Sequence, residues 1–241
     1  MRDNLYIVTG ASSGIGKQIS ILLLKNHKFV LGISRHRLKI KNKKYQSVKH
    51  DFKSKLNVKN ILKHIKRFNS FTVICAAGKR SSFKNNLKTL TDSVNINFFN
   101  QINFAHDLEK IKKIKKIVFF SSFNIFRKKK IQDIGYYLSK KIMFELTKND
   151  KLKIFQCYVM GNISTKMNKK HPSIIKSIPI IGSYLESKIA IKPNYIARQV
   201  IKNLNKSKRK IFFFPNIYPF LIKIIIFFLE LANNLIYRNS K

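Results

Sequence analysis

The chain has 241 residues, enough for one α/β domain with a sizeable core and short for two independent domains. Hydrophobic residues make up 44% and charged residues 25%, ordinary globular proportions that exclude wholesale disorder. Lysine and arginine number 50 against 10 aspartate and glutamate, a formal charge of +40 that attracts anions of every kind, from nucleic acid to acidic lipid and phosphorylated small molecules.

In chain order, short β-rich apolar runs alternate with amphipathic stretches. Leu5 to Thr9, Phe29 to Ile33, Tyr45 to Lys49, Phe71 to Ala76, Ile117 to Ser121, Ile154 to Val159 and Ile211 to Phe214 read as strands. Between them Ile15, Ile19, Leu22 and Leu23 give one helix face. Ile61, Leu62 and Ile65 give a second, and Val94, Phe98, Ile102 and Ala105 a third. Lys112, Lys113, Lys115 and Lys116, interleaved with Ile111, Ile114 and Ile117, read as the polar side of a helix end running into a strand. Pro193 opens a last helix, with Ile196, Ala197, Val200, Ile201 and Leu204 at helical spacing. The alternation is that of a parallel sheet of Rossmann type, doubly wound, in a single domain over residues 1–215. Residues 216–241 form a hydrophobic extension in which Lys223 and Glu230 interrupt the apolar run, so an amphipathic helix is expected rather than a bilayer span. Its apolar face packs on its own domain or a partner copy, or lies in an anionic membrane interface.

The lysines are spread through every segment with many Ile, Asn and Phe, a mixture that an AT-biased coding sequence produces. No nucleic-acid-binding signature organises them, so no specific nucleic-acid partner is expected. The run Arg127-Lys128-Lys129-Lys130 reads as a solvated loop, with steering of an anionic substrate as the alternative. The six histidines are too dispersed for a zinc site. Cys75 and Cys157 lie in apolar strands rather than a disulfide framework. With no signal-like h-region after Met1, a reducing cytoplasm is the expected location, with peripheral attachment to the inner face of the membrane as an extension of the C-terminal reading.

Two segments carry chemistry. Thr9-Gly10-Ala11-Ser12-Ser13-Gly14-Ile15-Gly16 ends the first strand and begins a helix. Glycine there allows a tight turn and close backbone approach, and the free N–H groups of the helix start favour a pyrophosphate. Tyr136 and Lys140, four apart, share a helix face, where an ammonium can lower the pKa of a phenol, and Ser121-Ser122 precede them at a strand end. In so lysine-rich a chain this spacing alone says little, and Tyr137 with Lys141 repeats it one residue later.

Taken in order, these segments resemble the short-chain dehydrogenase/reductase family, from Leu5 to about Pro215. Thr9-Gly10-x-x-x-Gly14-x-Gly16 matches its cofactor turn, which places Ser12, Ser13 and Ile15 against the cofactor as well. Asp51 matches the aspartate that contacts adenine, and Cys75-Ala76-Ala77-Gly78 stands in place of an Asn-Asn-Ala-Gly motif. Ser122, Tyr136 and Lys140 fall in the family's catalytic order. Gly161-Asn162-Ile163-Ser164-Thr165 is similar to its Pro-Gly-x-x-x-Thr segment, where Thr165 would bind the nicotinamide carboxamide and Gly161 and Ile163 would line the cofactor. Both motif asparagines are absent, and Met160 stands where proline is usual. The active-site asparagine is Asn97 or Asn95, with Asn97 preferred for Asn97-Phe98-Phe99 followed by Asn103.

The resemblance implies hydride transfer between nicotinamide and a carbonyl or alcohol carbon of a small molecule in a homo-oligomeric enzyme. Tyr136 would protonate the alkoxide, Ser122 bind the oxygen, Lys140 hold the ribose and tune Tyr136, and Asn97 hold a relay water. Gly32-Ile33-Ser34-Arg35-His36-Arg37 lacks an acid for a ribose 2′-hydroxyl, so Arg35 favours NADP(H) over NAD(H). The Ile-rich segment Ser173 to Ile191, where the family carries its substrate lid, suggests an apolar or lipid-linked substrate. The alternatives are a non-catalytic dinucleotide sensor and a basic membrane-surface adaptor.

Overall fold

Adjacent side chains of each central strand go to opposite faces of one sheet, and both faces are covered. Ile7, Val73, Phe119 and Val159 pack into one buried cluster, and their neighbours Val8, Ile74, Val118 and Tyr158 into the other. A strand covered on both sides has no polar face, which is why these runs read as nearly continuous apolar sequence.

In the computed structural model, which describes residues 2–80, 86–126, 133–149, 153–165, 167, 190–204 and 210–214, the strands are β1 (Arg2–Thr9), β2 (Phe29–Ser34), β3 (Tyr45–Lys49), β4 (Phe68–Cys75), β5 (Lys113–Ser122), β6 (Phe155–Met160) and β7 (Ile211–Phe214). They hydrogen-bond in the order β3-β2-β1-β4-β5-β6-β7, every pair parallel. The helices are α1 (Gly14–Lys25), α2 (Leu62–Ile65), α3 (Leu87–Val94), α4 (Asn100–Glu109), α5 (Ile134–Lys148) and α6 (Pro193–Asn203). Helices α1 and α6 cover one face through Ile19, Leu23, Ile196 and Val200. Helices α4 and α5 cover the other through Phe104, Leu108 and Met143. The chain leaving β1 therefore goes to one face and the chain leaving β4 to the other. Between them, at the carboxyl ends of these neighbouring strands, lies the crevice in which a sheet of this order binds ligands.

Three local readings change. Ile111, Ile114 and Ile117 do not mark a helix end: β5 begins at Lys113, and Ile114 and Ile117 both enter the same core cluster. Their spacing of three fits a strand because the pairing register with β4 shifts between Phe71 and Thr72, which face Ile114 and Lys116, so a β-bulge at Lys115 restores the buried face. The helix read through Val94 to Ala105 is α3 and α4 joined by one π-helical stretch, Asn95–Phe99. The amphipathic run around Ile61 is a 3-10 turn, Val58–Ile61, followed by the single turn of α2, with Leu62 turned outward. The C-terminal helix expected over 216–241, the basic run 127–130 and nearly all of the segment 173–191 lie outside the described residues. Among the described residues no helix is long and apolar enough to cross a membrane.

Candidate active site

The turn after β1 is built to bring backbone close to backbone. Gly10 and Gly14 have φ of 64° and 53°, conformations that L side chains rarely adopt. A Cβ on Gly10 would lie 2.8 Å from the Ala76 oxygen and the Ala77 backbone, and one on Gly16 would lie 2.5 Å from the Gly10 oxygen. Ser13, the N-cap of α1, makes no side-chain capping hydrogen bond, and the first turn of the helix contains no acidic residue. The N–H groups and positive dipole end of a 12-residue helix thus face the crevice without an internal carboxylate, as a pyrophosphate requires.

On the other wall, a buried network replaces the missing asparagines. The Thr9 hydroxyl donates to Gln101 Oε1 and accepts from the Ala77 N–H at 3.0 Å. Gln101 Nε2 donates to the carbonyls of Ala77 (3.0 Å), Ile96 (2.7 Å) and Asn97 (3.0 Å). Thr9 and Gln101 are fully buried. One amide therefore ties the end of β1 to the Ala77-Gly78 turn and to the π-helical stretch. The carbonyls of that stretch lack ordinary α-helical partners, and the Gln101 side chain, one turn on, supplies a donor. Asn97, also fully buried, clamps the next peptide: its Oδ1 accepts from the Lys79 N–H at 2.7 Å, and its Nδ2 donates to the Lys79 carbonyl at 2.9 Å. The same Nδ2 reaches the Ser139 hydroxyl at 3.1 Å, which joins this loop to α5. Asn95 is half-buried at the start of the π-helical stretch.

Helix α5 is capped by Asp133, whose carboxylate accepts from the Tyr136 N–H at 2.9 Å. That cap fixes the register in which Tyr136 and Lys140 face the sheet while Lys141 pairs with Glu145 at 3.1 Å. The Ser122 hydroxyl at the end of β5 stands near the Tyr136 phenol and favours its ionised form. Ser121 is turned away and donates to the Lys140 carbonyl at 2.7 Å. The Lys140 ammonium lies 5.3 Å from the centroid of the Tyr136 ring. Burial pushes the Lys140 ammonium down to about 8, against the thiols of Cys157 and Cys75 on the neighbouring strands. Both thiols are themselves pushed up to about 12 by burial and are inert packing groups. Burial raises the phenol of Tyr136, and the main charge opposing that rise is Arg80, whose guanidinium carbon is 5.2 Å from the ring centroid. The spacing of four had pointed to Lys140 as that cation. Arg80 carried no sequence signal, because one more cation in this chain is invisible against the background, and Gln101 was one polar residue in an otherwise ordinary helix.

The remaining sequence-selected residues border the same crevice or lie just beyond it. Ser34 ends β2 beside the glycine turn, where the Gly10 N–H donates to the Ile33 carbonyl at 2.8 Å, and the next residue, Arg35, is exposed. Asp51, two residues past β3, is half-buried and accepts from the Lys53 N–H at 3.1 Å. After β6, the Gly161 N–H donates to the Phe214 carbonyl at 2.8 Å, and Ile163 bridges Ile191. Thr165 Cγ2 comes within 3.6 Å of where a Cβ on Gly14 would stand, so this segment meets the glycine turn. Among the described residues no group of three or more His, Cys, Asp and Glu is placed to hold a metal.

The parallel sheet, its strand order and the covering helices are those of the short-chain dehydrogenase fold. The pattern of the NAD dependent epimerase/dehydratase family matches residues 6–145, more than half of the chain, and the protein belongs to that family. Its structure is similar to a short chain dehydrogenase family protein from Francisella tularensis subsp. tularensis SCHU S4, with TM-score 0.66 and 24% identity over 86% of this chain and 93% of that one. It is similar to 4-hydroxyisoleucine dehydrogenase complexed with NADH, with TM-score 0.69 and 17% identity over 84% and 91%. The aldohexose dehydrogenase of Thermoplasma acidophilum has TM-score 0.64 and 20% identity over 87% and 91%. No curated protein matches the chain by sequence.

Proposed function

We propose that the protein is an oxidoreductase that binds NADP(H) and interconverts a carbonyl and an alcohol on a small molecule. The observation that carries this reading is the buried Tyr136 ring with the Lys140 ammonium 5.3 Å from its centroid and the Ser122 hydroxyl near its phenol, on the strand and helix beside the crevice in which a sheet of this order binds ligands. The start of α1, with no side-chain cap and no acid in its first turn, supports a pyrophosphate there, and Gly10 and Gly16 let the turn pack against its own backbone beside it. Ser12, Ser13, Gly14 and Ile15 would line that phosphate site, Asp51 the adenine, and Gly161, Ile163 and Thr165 the nicotinamide. The bound dinucleotide supplies or accepts the hydride.

The chain's residues handle the proton. Tyr136, held neutral by burial, stands as the acid in the reductive direction; Ser122 orients the substrate oxygen, and the Lys140 ammonium holds positive charge against the ring as the phenolate forms. Asn97, whose carbonyl is fixed by Gln101, would hold the water that returns the proton to Tyr136. Arg35, exposed at the end of β2 with no acid in Ser34-Arg35-His36-Arg37, supports a 2′-phosphate on the cofactor. The family also supports a second reading, epimerase or dehydratase chemistry in which the cofactor is regenerated within one turnover.

Titration of the purified protein with NADPH and NADH tests the cofactor. NADPH is expected to bind about 10-fold more tightly, an advantage that Arg35→Ala removes. Tighter NADH binding refutes it. A screen of carbonyl compounds then separates the two reactions, since an oxidoreductase consumes NADPH in proportion to product and an epimerase leaves its absorbance unchanged.

A further inference from the structure

Arg80 is placed by the fold rather than by its own contacts. Asn97 holds both the N–H and the carbonyl of Lys79, and the next residue's guanidinium comes to rest 5.2 Å from the centroid of the Tyr136 ring. Arg80 is half-buried, and its Nε is fully buried with no hydrogen-bond partner. Its charge has no ion-pair partner among the described residues. Asp92 is shared by Lys79 at 3.6 Å and Lys53 at 3.7 Å, and Asp133 is engaged in capping α5. A cation stacked on a ring gains about 0.5–2 kcal/mol, and a buried donor left unsatisfied costs about 1–3 kcal/mol, so the stacking leaves the free state of Arg80 with little net gain. Such a group next to a proposed acid is explained when the ligand supplies the missing anion.

We propose that Arg80 binds the anionic end of the substrate, and that this end is a carboxylate close to the reacting carbon. The planar fork of a guanidinium matches a carboxylate with two parallel hydrogen bonds. The inference rests on the reading of Tyr136 as the proton donor, because the distance from Arg80 to that ring fixes how far the carboxylate stands from the carbonyl. In the oxidative direction the hydroxy acid loses a hydride from its carbinol carbon to C4 of the oxidised nicotinamide dinucleotide and its hydroxyl proton to the Tyr136 phenolate. The products are the oxo acid, the reduced dinucleotide and the protonated phenol, with the carboxylate unchanged. Lys79 and its neighbours supply a positive approach to the site but are screened by solvent, whereas Arg80 acts where water is partly excluded.

The test uses the full-length protein with NADPH and three oxo acids in which the carboxylate is progressively further from the ketone: pyruvate, acetoacetate and levulinate, each against its methyl ester. Calorimetric binding to the protein–NADPH complex and NADPH consumption are both read. At least one acid is expected to bind about 100-fold more tightly than its ester. Arg80→Met should remove that preference and Arg80→Lys should keep part of it, with NADPH affinity unchanged in both as the control for folding. Equal binding of acid and ester, or a preference that survives Arg80→Met, overturns the proposal. So does stronger Arg80-dependent binding of dihydroxyacetone phosphate than of any acid, which would assign the site to phosphate. If the acids bind through Arg80 and no NADPH is consumed, the anion site stands and the oxidoreductase reading falls. If esters or simple ketones are reduced as well as the acids, the oxidoreductase reading stands and the anion site falls.

Discussion

Tyr136 and Lys140 owe their chemistry to burial. With a buried ring, Tyr136→Phe should lose only the hydroxyl and leave the packing intact. Turnover is expected to fall by at least about 100-fold with cofactor affinity unchanged within a few fold, read by steady-state kinetics and cofactor titration. Activity that persists in Tyr136→Phe and vanishes in Tyr137→Phe would move the role one residue along. Lys140 links stability to pH. Its ammonium sits at about 8 in the folded chain against an ordinary 10.5, so the folded state binds fewer protons between those values and stability rises with pH across the window. Below pH 8 the buried charge is a full penalty; above 10.5 it is gone. Lys140→Met should therefore be more stable than the parent at neutral pH by an advantage that shrinks from pH 8 upward, measured by urea unfolding at several pH values. An advantage independent of pH would show that packing, not charge, separates the two.

At the scale of elements, the π-helical stretch between α3 and α4 is held open by side chains. Gln101 gives its amide to three carbonyls and takes the Thr9 hydroxyl, tying together two strand ends and one helix. Gln101→Leu keeps much of the volume but strands buried polar groups, at a cost of about 1–3 kcal/mol. The urea midpoint should drop, and cofactor affinity should drop with it, because Ala77 and Asn97 border the crevice. A variant with unchanged stability and affinity would mean that water takes over these hydrogen bonds. The β-bulge in β5 works at the same scale: one extra residue lets two isoleucines three apart share a core face.

For the whole molecule, the formal charge of +40 and the amphipathic sequence of residues 216–241 combine into one prediction. We propose peripheral binding to anionic vesicles, driven by charge and anchored by the apolar side of that segment. Co-sedimentation with phosphatidylserine vesicles should weaken when 216–241 is deleted, and should weaken further at high salt. A protein that stays in the supernatant at low salt, and whose truncated form only becomes insoluble, would place the segment in the core or at a contact between copies.

The amino-acid sequence by itself determined the sheet, its parallel strands and the order of the motifs, because these depend on local periodicity and on glycine where backbones must touch. Tyr45–Lys49 and Ile211–Phe214 are strands over the same residues that their β-rich composition marks. The resemblance singled out Ser122, Tyr136 and Lys140 together, and the end of β5 and the sheet-facing side of α5 bring them near one another. What it did not reveal was which charge lies against Tyr136, what replaces the absent asparagines of Cys75-Ala76-Ala77-Gly78, and why isoleucines spaced by three belong to a strand. Each of these depends on contacts between residues distant in the chain: Arg80 over Tyr136, Gln101 between Thr9 and Ala77, and β4 against a bulged β5. Only the tertiary structure decides such pairs, because a cation or an amide acquires its role from the buried partner it meets and not from its neighbours along the chain.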